Sequence, residues 1–311
     1  MTLAFSQKVL IHSYMQLSQP ADKVQCMYVW IDGSLRNVRA KSVTFSTVSK
    51  NPTELPLMEF CGSATGLDVG DVADFYAKPI KFYSDPFRGG NNKLVFCETY
   101  SRDKLPTFAN NRYRLLSAER NSRNHFSQYG FQQSFTLLRK DGKLLSYMNP
   151  AYDSDSKSGF VCGREIAEAY YRACLYAGVR ITSMEPLSVK GQWKYCIGPC
   201  SRVELADDVW MSRFILLRVA EDFGVLVSFE TSSCTELRNR ISAALIICTE
   251  SMMQGEKQRI AETLFSKFGL KEENPLRVLS FPGRILLSDL NADVDPYSAI
   301  TKVLDALKSV S

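Results

Sequence analysis

The chain has 311 residues, 45% apolar and 23% charged, enough to build two ordinary cores, which excludes a disordered or fibrous protein. Its 38 basic and 33 acidic residues leave a net charge of +5, spread without any block of five like charges, so nothing marks a nucleic-acid surface. The longest apolar windows, such as 241–248, fall well short of the ~18 residues of a membrane span, and residues 1–20 carry Lys8, His12 and Gln16 without a small-residue cleavage pattern, so a cytoplasmic protein is expected.

Val9, Leu10, Tyr14 and Leu17 stand near helical spacing and Pro20 stops the run, which predicts an N-terminal helix over 6–18. From Val24 the pattern is that of strands: 24–32, 36–47, 75–82 and 94–100 are rich in β-branched and aromatic residues. Turn signals separate them at Gly33-Ser34, Asn51-Pro52, 62–70 and 88–92. A small sheet domain ending near Pro106 is expected.

Further on, Ile166, Ala169, Tyr170, Ala173, Cys174 and Ala177 share one side of a helix predicted over 164–176, with Gly178 as its stop. Strands are predicted at 179–183 and 192–198, a long amphipathic helix at 205–223 and a buried strand at 225–230. Another strand is expected at 240–249 and another helix at 256–268. Asp295-Pro296, a capping carboxylate followed by an N1 proline, opens a last helix running to about Leu307. This order suits a curved sheet backed by helices, and neither internal repeats nor low-complexity segments interrupt it.

The nine cysteines are odd in number and irregular in spacing. Cys196 and Cys200 flank Ile-Gly-Pro, a spacing of neither a zinc pair nor a redox CxxC, and read as buried free thiols. With only His12 and His125 available, histidine catalysis or a histidine-rich zinc site has little to draw on.

Five runs then stand out: DPFRGGNN (85–92), LVFCETY (94–100), YYRACLYAG (170–178), IGP (197–199) and EDFGV (221–225). With them the chain resembles glutamine synthetase of the compact eukaryotic type. The resemblance implies an α+β protein: an N-terminal helix and β-grasp domain over 1–106, then a catalytic-type domain over 107–311, a curved antiparallel sheet backed by helices and shortened near the C-terminus. Read on its own, each run is equally what a turn, a buried strand or a packed helix face requires, with Gly89 and Gly90 permitting backbone angles that other residues resist.

The family reaction moves the γ-phosphoryl group of ATP onto glutamate, and ammonia displaces it. That chemistry depends on divalent cations, and magnesium or manganese need hard oxygen ligands. Carried over residue by residue, the resemblance places Gln132 and Ser134 at the family's Glu-x-Glu, Leu187 and Lys194 at the two glutamates around Gln192-Trp193, Ala244 at its histidine and Leu286 at its last metal glutamate. Glu185 lies two places off register. Ser288 stands where an arginine is expected, and Cys61 replaces the aspartate of the loop that reaches a neighbouring subunit's ammonium pocket. Arg277 and Arg284 lie near, but out of register with, the family's phosphate and glutamate arginines. The segment between Lys143 and Gly163 is shortened, and the flap that screens the acyl phosphate is missing between Phe268 and Asn274.

No carboxylate remains at any of the six ligand positions. The resemblance therefore implies a pseudoenzyme: metal-free, without ATP as cofactor, and with only Ile197, Gly198 and Pro199 as a nucleotide-site remnant. The expected role is subunit or partner interaction, as a homo-oligomer or with related active subunits, with no membrane or nucleic acid. The alternatives are a residual or altered ATP-dependent glutamate–ammonia ligase and a binding module outside nitrogen metabolism. For Lys194 two situations are open: an ammonium inside the old cavity with Gln132 or Ser134 as acceptors, or a solvated side chain.

Overall fold

The computed structural model describes residues 14, 16–48, 50–63, 65–67, 74–120, 127–145, 161–229, 242–249, 257–267, 277–281 and 284–307. The helix predicted over 6–18 therefore lies almost wholly outside the described residues, as do both histidines and the segments 146–160 and 268–276. The chain divides into two compact units, residues 1–109 with 176–178, and residues 110–175 with 179–311.

The first unit holds a five-stranded sheet of order β2-β1-β5-β4-β3, with β1 (Val24–Ile31), β2 (Val38–Phe45), β3 (Met58–Cys61), β4 (Asp74–Ser84) and β5 (Lys93–Ser101). β1 runs antiparallel to β2 and parallel to β5. Alternation along β1 sends Cys26, Tyr28 and Trp30 to one face, where they meet Val95, Cys97, Ala77 and Met58. β3 was not expected. Its four residues carry too little pattern to register as a strand, and pairing with β4 along Met58↔Ala77 to Cys61↔Asp74 holds it.

The turn over 85–92 explains its own residues. Asp85 Oδ1 accepts from the amides of Phe87 and Arg88 at 2.9 and 3.2 Å, and its Oδ2 takes Arg88 Nη1 at 2.7 Å. Asn92 Oδ1 receives the Gln25 amide at 2.8 Å and ties the turn to β1. Gly89 and Gly90 sit at φ +65° and +57°, the left-handed region that glycine enters without a Cβ clash.

The second unit is built on a seven-stranded antiparallel sheet: β6 (Ser127–Leu138), β7 (Ile181–Pro186), β8 (Gln192–Cys200), β9 (Leu226–Ser228), β10 (Ser242–Thr249), β11 (Arg277–Phe281) and β12 (Arg284–Asn291). The order is β11-β12-β10-β6-β8-β7, with β9 paired to the end of β6. The helices are α1 (Asn111–Arg120), α2 (Arg164–Ala177), α3 (Arg202–Phe223), α4 (Lys257–Lys267) and α5 (Pro296–Leu307). One sheet face carries Tyr129, Phe131, Gln133, Phe135 and Leu137 of β6, all buried. Phe135 meets Tyr170 of α2 edge-on and Tyr195 of β8 at a tilt, and the Tyr195 hydroxyl lies 3.0 Å from Ser212 of α3. Each such fully buried aromatic contributes roughly 1.5–3 kcal/mol.

Several predicted elements shift. The helix expected over 205–223 starts at Arg202, after Ser201 in extended conformation, and is ended by Gly224 in the left-handed region. It is not amphipathic, because Asp207, Asp208 and Arg213 are buried with its apolar residues. The two carboxylates are paired with arginines, Asp207 with Arg112 at 2.9 Å and Asp208 with Arg180 at 3.1 Å. The strand expected over 225–230 is short, and Leu226 is exposed, since it pairs only with the tail of β6. The strand expected over 179–183 instead spans Ile181–Pro186. α1, β11 and β12 are further findings of the structure.

Candidate functional site

The second face of the seven-stranded sheet gathers the residues singled out by sequence. β6 is central and its register fixes three rows. Ser134 lies opposite Lys194 of β8, and Lys194 opposite Glu185 of β7. Gln132 lies between Ala244 of β10 and Cys196 of β8. Gly130 faces Ile246, which in turn faces Leu286 of β12. Directly opposed residues point to one side of a sheet, with Cβ atoms about 4.5–5.5 Å apart. Gln132, Ser134, Lys194, Ala244 and Leu286 thus share a face.

The remaining positions are more scattered. Leu187 lies past the end of β7, where its amide donates to Gln192 O at 2.9 Å. Ser288 is on β12, two residues from Leu286, with its backbone opposite Arg277. Cys61 belongs to the first unit, exposed at the end of β3, with Sγ 3.0 Å from Ser63 Oγ.

The back of β6 holds this face in place. Gln133 is fully buried, and its Oε1 accepts from Arg213 Nε at 3.1 Å and Nη2 at 2.6 Å. Its Nε2 donates to Ala292 O at 2.7 Å and to Ser134 O at 2.9 Å. Arg213 also reaches the carbonyls of Ala292 and Val294, at 3.2 and 2.9 Å, and stacks over Trp210. Burial lowers the Arg213 pKa, opposed by Tyr195, Asp295 and Asp293. This latch ties β6, α3 and the chain after β12 together from behind.

The row Ser134, Lys194, Glu185 departs from expectation. Lys194 Nζ finds Glu185 Oε1 at 2.7 Å; the acceptor is neither Gln132 nor Ser134. The cause is the length of β7, which continues to Pro186 and brings Glu185, two places before Leu187 in the chain, opposite Lys194. The Lys194 side chain is 29% exposed and that of Glu185 60%, so the pair lies between the buried and the solvated situations and contributes ~0–1 kcal/mol.

A divalent cation does not fit this set. Magnesium or manganese ask for several anionic oxygens converging on one point. The face instead offers an amide, a hydroxyl, an ammonium, a methyl group and a leucine, and the one carboxylate in the rows already holds the ammonium. Among the described residues no group of three or more histidine, cysteine, aspartate or glutamate side chains is placed to hold a metal. The triphosphate of a nucleotide finds no better provision at the 197–199 turn. Ile197 is buried, and the Gly198 amide is taken by Arg180 O at 2.9 Å. A Cβ on Gly198 would stand 2.5 Å from Tyr129 O.

The comparisons with known proteins agree with this geometry on the fold. No family model matches the chain. It is 38% identical to a glutamine synthetase of Panulirus argus over 232 residues, 72% of this chain and 64% of that one. With glutamine synthetase 2 cytoplasmic of Drosophila melanogaster the identity is 32% over 278 residues, 87% of this chain and 75% of that one. Among solved structures, a cryo-EM glutamine synthetase of Plasmodium falciparum superposes with a TM-score of 0.68 at 13% identity, covering 98% of this chain and 76% of the other. The lobster protein is thus matched over less than two thirds of its length.

Proposed function

The chain belongs to the glutamine synthetase family, and we propose that it is a member that keeps the fold without the ligase reaction and acts by binding other subunits. The observation that carries this reading is the row Ser134, Lys194, Glu185, where an ammonium lies 2.7 Å from a carboxylate on the face that would have to hold cations. Ligand replacement at one position weakens a metal site; replacement of Gln132, Ser134, Leu187, Lys194, Ala244 and Leu286 together removes the charge that would attract the metal. We assign the β-grasp role to residues 1–106 and the catalytic-type role to 107–311, and place the protein in the cytoplasm, as the name of the Drosophila relative says of that relative.

The partner in this reading is a glutamine-synthetase subunit, either a second copy of this chain or an active relative. Sedimentation of the purified protein, alone and mixed with an active family member, tests it. The expected result is a discrete assembly larger than 35.1 kDa under one of the two conditions. A strict monomer in both would overturn the assembly role.

A further inference from the structure

We propose that Lys194 is the residue that closes this sheet face to divalent cations, acting as a counter-ion to Glu185 in the place a metal would take. The inference rests on the non-catalytic reading above and names what enforces it. Three facts carry it. Ser134, Lys194 and Glu185 stand directly opposite one another on three adjacent strands. The tips of the last two converge, with Nζ 2.7 Å from Oε1. Both remain partly open to solvent, so an ion has access to the row.

Glu185 is therefore a carboxylate already facing the row, with its lone pairs engaged by an ammonium. A divalent ion taken up by the same oxygens would sit within a few ångströms of a fixed positive charge, and its repulsion there is twice that between two unit charges. Exchange of the ammonium for a carboxylate reverses the sign and leaves two opposed carboxylates at cross-strand spacing, a geometry from which a manganese ion can be held with water completing its shell. No other residue of the described face both carries a charge and opposes Glu185 in register.

The test uses the full chain without substrates and Mn2+ alone as the probe, read by the paramagnetic signal of free Mn2+ and by the thermal midpoint. Wild type is expected to bind no Mn2+ through this row. Lys194→Glu, at a position that is partly exposed, should tighten Mn2+ binding by about tenfold or more and make the midpoint rise with Mn2+ concentration. Lys194→Glu combined with Glu185→Gln should return both readings to wild type. A folded Lys194→Glu no tighter than wild type, a gain that survives Glu185→Gln, or wild-type binding that Glu185→Gln abolishes would each overturn the proposal. If Lys194→Glu does not fold, Lys194→Gln is measured the same way: a smaller, Glu185-dependent gain supports the proposal and no gain overturns it. Wild-type turnover would sink the non-catalytic reading alone, because the Mn2+ series is read without catalysis.

Discussion

Replacing Gln133 by leucine isolates the latch behind the candidate site. The side chain is fully buried and makes four hydrogen bonds: two accepted from the Arg213 guanidinium, and two donated to the carbonyls of Ala292 and Ser134. Leucine has a similar volume, so no large cavity opens, but the guanidinium loses two charge-assisted bonds while remaining buried. Arg213 keeps Ala292 O and Val294 O, which limits the damage. Leaving a buried donor or acceptor unsatisfied costs about 1–3 kcal/mol, more for a charged group, and with the Arg213 guanidinium short of two bonds but keeping its two carbonyls Gln133→Leu falls at roughly 3 kcal/mol. For a unit of this size that is a fall of roughly 6–12 °C in Tm. Urea unfolding followed by the fluorescence of Trp193 and Trp210 measures it directly. A loss below about 1 kcal/mol would show that Arg213 is held by the carbonyls alone and refute the latch.

Gly198→Ala should destabilise the same unit by at least roughly 1–3 kcal/mol, because φ is +95° and the new methyl would meet the Tyr129 carbonyl, a backbone atom that cannot swing aside; a neutral effect in denaturant titration would mean that the turn is built otherwise. Among the described cysteines, alkylation of the native protein should label Cys61 first and spare Cys26, Cys97 and Cys174, since burial pushes the Cys26 thiol up to about 11 and raises the Cys97 and Cys174 thiols well above the ordinary thiol range; mass spectrometry finding Cys97 or Cys174 modified before Cys61 would contradict their placement. Burial raises the Asp295 carboxyl above the ordinary aspartate range, against hydrogen bonds from Trp210, Asn111 and the Ser298 amide. Its contribution is therefore fully present at low pH and lost as pH rises through the raised value, so wild type should lose stability relative to Asp295→Asn as pH climbs from about 4 upward; a stability difference that does not change with pH would show the carboxyl to be unperturbed, and a wild type that gains on Asp295→Asn as pH rises would show its pKa to be lowered.

Much of the fold was legible where one pattern repeats long enough. The helix at 164–176 is observed over Arg164–Ala177, because its apolar period and Gly178 agree on where it ends. The last helix is observed over Pro296–Leu307, opened as expected by Asp295, whose Oδ2 accepts the Ser298 amide at 3.0 Å. α3 was harder to read: Asp207, Asp208 and Arg213 resemble a solvated face in sequence, and only their partners Arg112, Arg180 and Gln133, distant along the chain, reveal that they are interior.

The candidate site divides along the same line. The family motifs located Gln132, Ser134, Lys194, Ala244 and Leu286, and strand register puts them on one face. Glu185 stands out in the sequence only as two places off the family register; its place opposite Lys194 is not legible there, because β7 outlasts its predicted end and a strand's length decides which side chain opposes Lys194. β12 is not legible although Ile285, Leu286 and Leu287 form an apolar run, since the resemblance reads this stretch only as the family's last metal glutamate and the arginines after it, without weighing its β-propensity.

Phosphate release from ATP in the presence of glutamate and ammonia, titrated with magnesium and with manganese, tests whether the ligase reaction has been lost. A chain whose sheet face presents Ser134, Lys194 and Glu185 where cations must be held should release no phosphate above the substrate-free blank at any metal concentration. Saturable release that tracks either metal would contradict the account.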